Sequence, residues 1–388
     1  MTDKAAATVD GKPVDLEDLV AEADVGGRKP QGLAAKAIAA VAIAWSLFQL
    51  WYASPLPFML GFGIIGDEQA RAFHLSFALF LAFACFPAFK SSPRDRIPLA
   101  DFALGAAAIA CVLYLVVFYR DLIQRPGLPT VADITVSVLG VILLIEASRR
   151  AEGPWMPVIS ISMLAYVFAG PWLGGLLAHR GASLSRAASH FWLTAEGVFG
   201  VALGVSTSFI FLFVLFGALL DKAGAGNFFI QVAFSLLGRF RGGPAKAGVV
   251  SSGMTGMISG SSVANVVTAG TFTIPLMKRV GYTPTKAGAI ECAAGVNGQL
   301  MPPVMGAAAF LMAEYVGITY ADVVKHAIVP ALLTYGALFY VVDLEAVKAG
   351  MTGLPGRRLR TWQQGIIKAV ITVCSLIILS GAVYWGLG

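Results

Sequence analysis

The sequence predicts an all-α integral membrane protein, and composition, long apolar runs and the placement of charge carry that class. Of 388 residues, 57% are apolar and only 13% charged, and the mean hydropathy is +0.76. Soluble domains hold about 25% charged residues, so this chain lacks the polar side chains to cover a water-facing globule. A helix needs about 20 apolar residues to cross a hydrocarbon core, and segment 70–89 (ARAFHLSFALFLAFACFPAF) is one of many that qualify. The net charge of +6 fits the Lys and Arg excess of cytoplasmic loops. No basic run with interleaved aromatics is present, so no nucleic-acid partner is expected.

Residues 1–32 are polar, carry both charge signs and lack a cleavable-signal pattern, which predicts a retained cytoplasmic tail. Apolar runs at 33–53, 70–89, 98–119 and 132–148 read as four plain helices joined by short loops. They form one four-helix membrane domain, 33–150, ending at Arg149-Arg150-Ala151-Glu152-Gly153-Pro154. Further helices follow at 155–178, 194–220, 321–342 and 363–387. Segment 227–240 is too short to span and ends beside Arg239 and Arg241, which predicts an interfacial helix.

Segment 245–277 is the decisive one, because no charge falls in the 31 residues between Lys246 and Lys278. A straight helix of that length measures about 46 Å, well beyond a core of ~30 Å, while each arm of a hairpin reaches roughly 23 Å. Charge separates the two readings. With a re-entrant hairpin and the N-terminus inside, 22 Lys and Arg lie inside and 6 outside. A single span inverts everything downstream and leaves 15 against 13. The positive-inside rule selects the hairpin. Non-helical backbone at membrane depth is tolerated only where protein buries it or it lines a cavity, so the hairpin is the first functional suspect.

Its central stretch, SSGMTGMISGSSVANVVTAGTFTIP (251–275), is rich in small and hydroxylated residues. Gly253, Gly256, Gly260 and Gly270 permit close helix approach, and the expected tip is Ser259-Gly260-Ser261-Ser262. Ser259, Ser261, Ser262, Thr268, Thr271 and Asn265 offer hard oxygen ligands suited to a weakly held Na⁺. Any one of these hydroxyls is more simply read as bonding its own helix, but a cluster at a re-entrant turn favours an ion site. The next segment, GAIECAAGVNGQLMPPVMGAAAF (288–310), carries Pro302 and Pro303 near its middle. It predicts a helix spanning 286–312 that breaks beside Asn297, Gly298 and Gln299. A packed proline kink is the plainer alternative. Two broken elements in succession form the pattern of a secondary transporter's midplane site.

Elsewhere the signals are weaker. Glu291 and Glu196 are proton-relay candidates, though Lys286 five residues from Glu291 favours an interfacial structural role for it, as for Glu196. His74, His179, His190 and His326 fall at loop margins or helix ends and receive no role. Cys85, Cys111, Cys292 and Cys374 are expected to be buried structural residues. No HExxH, GxSxG or GxxxxGK[ST] motif occurs, so neither an enzyme nor an ATP-driven pump is expected.

Segments 251–282 (SSGMTGMISGSSVANVVTAGTFTIPLMKRVGY) and 287–314 (AGAIECAAGVNGQLMPPVMGAAAFLMAE) closely resemble the permease of tripartite ATP-independent periplasmic (TRAP) transporters. FLFVLFGALLDKAGAGNFF and GRFRGGPAKAGVV fit the same pattern, and the fused permease of the TAXI branch is the best match. The resemblance implies that 33–150 corresponds to the small four-helix subunit and 151–362 to the first repeat of the large one. It further implies an elevator-type core in which Gly260, Ser261, Ser262 and Asn265 lie on the hairpin tip and Asn297, Gly298, Gln299 and Pro302 on the helix break. The coupling ion implied is Na⁺, with Gly260, Ser261, Asn265 and Gly298 as its candidate ligands and no other cofactor. Family partners and setting follow: a TAXI-type periplasmic solute-binding protein, a small carboxylate substrate and the bacterial inner membrane, with the N-terminus cytoplasmic.

One departure accompanies the resemblance. Such permeases hold two inverted repeats, whereas this sequence shows one hairpin, one broken helix and, at 363–388, only the first helix of a second repeat. The expectation is therefore a permease part that is incomplete alone, either truncated or completed by a polypeptide supplying the second repeat. A non-transporting membrane scaffold is the alternative from another class. A carrier completed by antiparallel homodimerisation is disfavoured by the 22 to 6 charge split.

Overall fold

The computed structural model describes residues 7–9, 12–14, 27–28, 30–89 and 91–351. The helix expected at 363–387 and Cys374 lie outside the described residues, as does most of the tail. The described chain is helical apart from a three-residue antiparallel pairing of Ala7–Val9 with Lys12–Val14. Contacts gather it into two compact units, one drawn from 216–309 and 318–351, the other from 27–215 and 310–317. The boundary expected near 150 falls inside the second unit.

In that second unit, helices α1 (Leu33–Ala53), α2 (Asp67–Cys85), α3 (Leu99–Val117) and α4 (Val131–Glu152) follow the four expected runs. Helix α2 stops four residues earlier than the apolar run, because Pro87 forces Phe86 into extended backbone. At the start of α4 the Thr130 hydroxyl accepts from the Asp133 amide and the Asp133 carboxylate from the Thr130 amide, satisfying two otherwise orphaned donors. Leu79, Phe83, Ala108, Val112, Leu143 and Ala147 form the core, which extends past residue 150 to Trp192 and Phe199. Trp192 lies flat over Gly140 and its indole donates to the Cys111 carbonyl at 3.3 Å.

Two features of this unit depart from expectation. Arg28, placed in a solvated tail, is buried; it pairs with Asp101 and donates to the Phe83 carbonyl at 3.1 Å. Arg150 meets the other Asp101 oxygen at 2.8 Å and Glu146 at 2.7 Å. His74, expected at a helix margin, is buried in mid-helix, where its Nδ1 meets the Gln49 amide at 2.5 Å and its Nε2 meets the Ser206 hydroxyl at 3.1 Å. Both are packing facts that no sequence spacing displays. The cysteine reading is corrected in part, since Cys111 is buried but Cys292 is exposed.

Helix α5 covers Trp155–Ala169 and ends in short 3₁₀ turns rather than running to 178. The run expected at 194–220 begins as turn, becomes helical at Val201–Val205, loosens through a π turn at Ser206–Ile210 and continues as α6 (Phe211–Lys222). Helix α7 (Ala225–Leu237) is the short apolar element expected there.

The first unit holds the suspected machinery. Arms α8 (Gly243–Ser259) and α9 (Ser262–Arg279) are separated by Gly260 and Ser261 alone, so 245–277 is a hairpin. Helix α10 (Pro284–Asn297) gives way to a 3₁₀ turn at Gly298–Leu300 and irregular backbone before α11 (Ala307–Val316). The long helix α12 (Tyr320–Lys348) packs against α8 and α10. Among the described residues, six helical stretches are long and apolar enough to cross a membrane: 33–53, 99–117, 131–152, 155–172, 201–220 and 320–348. Leu332, Leu333 and Tyr340 on α12 are more than 60% exposed, which suits a hydrocarbon neighbour rather than water.

Candidate functional site

The site is built where the hairpin tip meets the helix break. Arm α8 ends at Gly260, whose φ of 60° is left-handed and whose amide donates to the Gly256 carbonyl. A Cβ there would stand 2.8 Å from the Met305 carbonyl oxygen, so glycine is required twice, by conformation and by space. The next residue, Ser261, starts arm α9, and its hydroxyl accepts from the Ala264 amide at 3.3 Å. Ser261 is thus first an N-cap, while the Ser259 hydroxyl donates to the Ser261 carbonyl at 3.3 Å.

One turn on, Asn265 is fully buried. Its amide nitrogen donates to the Ser252 carbonyl at 2.8 Å and to the Ser252 hydroxyl at 3.2 Å. Because a carbonyl only accepts, those partners fix which end of the amide is nitrogen. The other end, Oδ1, is buried with no donor.

Opposite lies the break. Gly298 sits so close to Gly256 that a Cβ on Gly256 would stand 2.5 Å from the Gly298 Cα and 3.2 Å from the Asn265 amide nitrogen. The two elements meet backbone to backbone there, which only paired glycines allow. Asn297 is half-buried on the last turn before the break, and the exposed Gln299 donates to the Ser262 hydroxyl at 3.2 Å. Pro302 and Pro303, joined by a cis bond, carry the chain out of the helix. The Gln299 carbonyl then accepts from the Gly306 amide at 2.8 Å. Carbonyls released by the break are partly satisfied by the Tyr320 hydroxyl, 2.8 Å from that of Pro303 and 2.5 Å from that of Val304. The Tyr335 hydroxyl donates to the Ala294 carbonyl at 2.8 Å.

Of the residues singled out from sequence, the structure brings Asn265, Gly298, Ser262 and Gln299 into contact, with Ser261 one turn from Asn265. Gly260 is set against Met305 instead. Thr268 and Thr271 do not turn to the site through the bond they make, since the Thr271 hydroxyl donates to the Thr268 carbonyl at 2.9 Å.

Glu291 is fully buried within the protein, with Oε2 2.6 Å from the Thr273 hydroxyl and Oε1 without a partner. Lys286, five residues away in sequence, turns from it to pair with Glu345. Glu196 does stand exposed, 3.0 Å from His190 Nδ1. Sequence reasoning also missed Ser252, Thr273 and Tyr335. Their signal is positional only: each lies on a face that becomes interior once the hairpin folds.

The base of the hairpin is held differently. Buried Lys246 pairs with Asp343 of α12 at 2.6 Å, and Arg241 reaches the same carboxylate at 3.2 Å. Tyr282, in the loop between α9 and α10, is buried with its hydroxyl 3.3 Å from the Val342 carbonyl. Burial, then the Glu345 and Asp343 carboxylates, push its phenol up to about 12.

Comparison with known proteins follows the same residues. The family described as tripartite ATP-independent periplasmic transporter, DctM component, matches residues 139–387. A C4-dicarboxylate TRAP transporter large permease protein from Pseudomonas aeruginosa is 32% identical over 177 residues, 45% of this chain and 40% of that protein. Its counterpart from Vibrio cholerae is 29% identical over 218 residues, covering 55% and 45%. An isethionate TRAP transporter permease protein from Oleidesulfovibrio alaskensis is 29% identical over 176 residues, covering 45% and 27%. The chain spans less than half the length of each of these relatives. With the hairpin, the break and their glycine contact all inside the matched region, the chain is a multi-pass membrane protein that belongs to the DctM large-permease family of TRAP transporters.

Proposed function

We propose that this chain supplies one half of the substrate and ion site of a TRAP permease. Its work is sodium-coupled uptake of a small carboxylate delivered by a TAXI-type periplasmic binding protein across the bacterial inner membrane, with the N-terminus cytoplasmic. The observation that carries the reading is Asn265 Oδ1, a buried oxygen without a donor at the contact of hairpin tip and helix break. A buried acceptor left open costs about 1–3 kcal/mol unless a ligand fills it, and a neutral carbonyl oxygen suits a hard monovalent cation. Gly260, Ser261, Asn265 and Gly298 supply the Na⁺ ligands; Ser259, Ser262, Asn297, Gln299 and Pro302 shape the surrounding tip and break. In the complete permease an inverted counterpart of these elements, on further polypeptide, closes the site from the other side, and the hairpin and broken helix travel together as the elevator. The relatives named for C4-dicarboxylates and isethionate support a small organic anion as cargo.

The test is uptake into vesicles holding the whole permease, with its binding protein outside. Ser261→Ala combined with Asn265→Ala is expected to abolish Na⁺-stimulated uptake while leaving assembly intact. A non-transporting scaffold tolerates both changes. Uptake indifferent to Na⁺ removal sinks the coupling assignment.

A further inference from the structure

We propose that Glu291 is a proton-binding site, its carboxyl group held as the neutral acid between the second hairpin arm and the broken helix. The inference stands on packing alone and does not depend on the transport reading. Residues 222–313 contain a single acidic side chain, Glu291, and it is fully buried.

Every element packed on it is neutral where it faces the carboxyl group. Arm α8 presents Gly248, where a Cβ would lie 3.8 Å from Oε2, and Ser252, whose hydroxyl stands beside the group. From α9 come Gly270, where a Cβ would lie 3.2 Å from the Glu291 Cγ, and Thr273. Helix α12 contributes Tyr335, whose hydroxyl proton is committed to the Ala294 carbonyl. The cations on these elements are engaged or distant in direction: Lys246 pairs with Asp343, Lys286 pairs with Glu345, and Lys278 and Arg279 stand exposed at the end of α9. Among the described residues no cation pairs with Glu291.

Proton accounting at Thr273 points the same way. Its one hydroxyl proton has two oxygen neighbours, the Ala269 carbonyl at 3.0 Å and Glu291 Oε2 at 2.6 Å. A carboxylate only accepts, so an ionised Glu291 draws on the Thr273 and Ser252 hydroxyls and still leaves a buried charge met by neutral donors alone, with no cation against it. With Glu291 protonated on Oε2, the acid donates to the Thr273 oxygen and Thr273 donates to Ala269. The acid proton and the Thr273 proton then each have an acceptor, and Oε1, geometrically unpartnered, is left as a neutral carbonyl oxygen beside the Ser252 hydroxyl. Burial without a counter-charge selects this second arrangement. Ser252 stands between Glu291 and Asn265, accepting from the Asn265 amide at 3.2 Å, so loss of the proton would place a full negative charge one hydroxyl away from Asn265.

Infrared spectroscopy of the full chain in lipid vesicles at neutral pH reads the proton directly. The wild type is expected to show a protonated-carboxyl carbonyl band that Glu291→Gln removes completely. Thr273→Val, which deletes the hydrogen-bond partner, should keep that band and move it to higher frequency. Wild-type and Glu291→Gln spectra without a difference in that band overturn the proposal. If the glutamine variant does not fold, a band unmoved by Thr273→Val overturns it instead.

Discussion

Asp101 and Glu291 are both buried acids on apolar helices, and the two regions treat them in opposite ways. Asp101, in the four-helix region, meets the guanidinium groups of Arg28 and Arg150, and Arg150 is shared further with Glu146. Glu291, beside the hairpin, meets a threonine hydroxyl and two glycines. The packing around them differs in the same sense. Phe83, Val112 and Trp192 fill the interior of the first region with large side chains. In the second, Gly256 and Gly298 bring backbone against backbone, and Asn265 and Glu291 each keep an acceptor atom open. The first region also keeps an open acceptor, Gln49 Oε1, but its buried acids Asp101 and Asp133 are each met by guanidinium groups. The second meets its buried acid with hydroxyls alone and closes the contact of hairpin and broken helix with glycine.

The largest effect that probes this contrast is Asp101→Asn. It removes the charge shared by two buried guanidinium groups and leaves Arg28 with carbonyl partners only, and losing one partner of a buried ion network costs about 3–5 kcal/mol; reversible unfolding of the purified chain in detergent measures it. Glu291→Gln, at an equally buried acid, is expected to cost less than about 1 kcal/mol, because volume-conserving changes are tolerated best. Equal losses at the two acids would break the comparison. Next comes Gly256→Ala, whose methyl group meets the Gly298 Cα; overpacking of this kind costs about 1–3 kcal/mol. Ser261→Ala removes the cap of arm α9 and is expected to cost about 1 kcal/mol, the typical value for a lost N-cap hydroxyl. The smallest is Gly105→Ala in α3, where a Cβ meets nothing nearer than Phe80 at 3.5 Å. Alanine's better helix propensity makes a gain of up to about 1 kcal/mol the expected outcome. A larger loss at Gly105 than at Gly256 would reverse the reading of where glycine matters.

The hairpin was legible because charge has to stay out of hydrocarbon. Lys246 and Lys278 bracket the stretch, and the tally of flanking cations decides between one span and two arms. Its tip was legible to within one residue, since Gly260 and the Ser261 cap are local signals. The break was legible from Pro302 and Pro303, and the helix yields beside Asn297 and Gly298, as the sequence places it, with Gly256 packed against Gly298. What stayed hidden depends on partners distant in sequence. Nothing near Arg28 announces Asp101, nor does Gln49 announce His74. The burial of Glu291 was hidden for the same reason: only the folded hairpin shows it enclosed, with the lysine five residues away turned towards Glu345. Two of the candidate ligand hydroxyls, Ser261 and Thr271, also bond their own backbone, a local use that composition alone does not separate from ion binding.

The ion pairs at the foot of the hairpin bear on how force would travel. Lys246 and Arg241 grip Asp343, Lys286 grips Glu345, and both acids sit within one turn near the end of α12. Mechanically, that turn is a coupling pin: it clamps the roots of both the hairpin and the broken helix with ion pairs, while their far ends meet through glycine backbone and the neutral hydrogen bond from Gln299 to Ser262. A pull along α12 would reach both elements at their stiff ends and leave the slack at the tip, as a pair of tweezers is worked from the hinge.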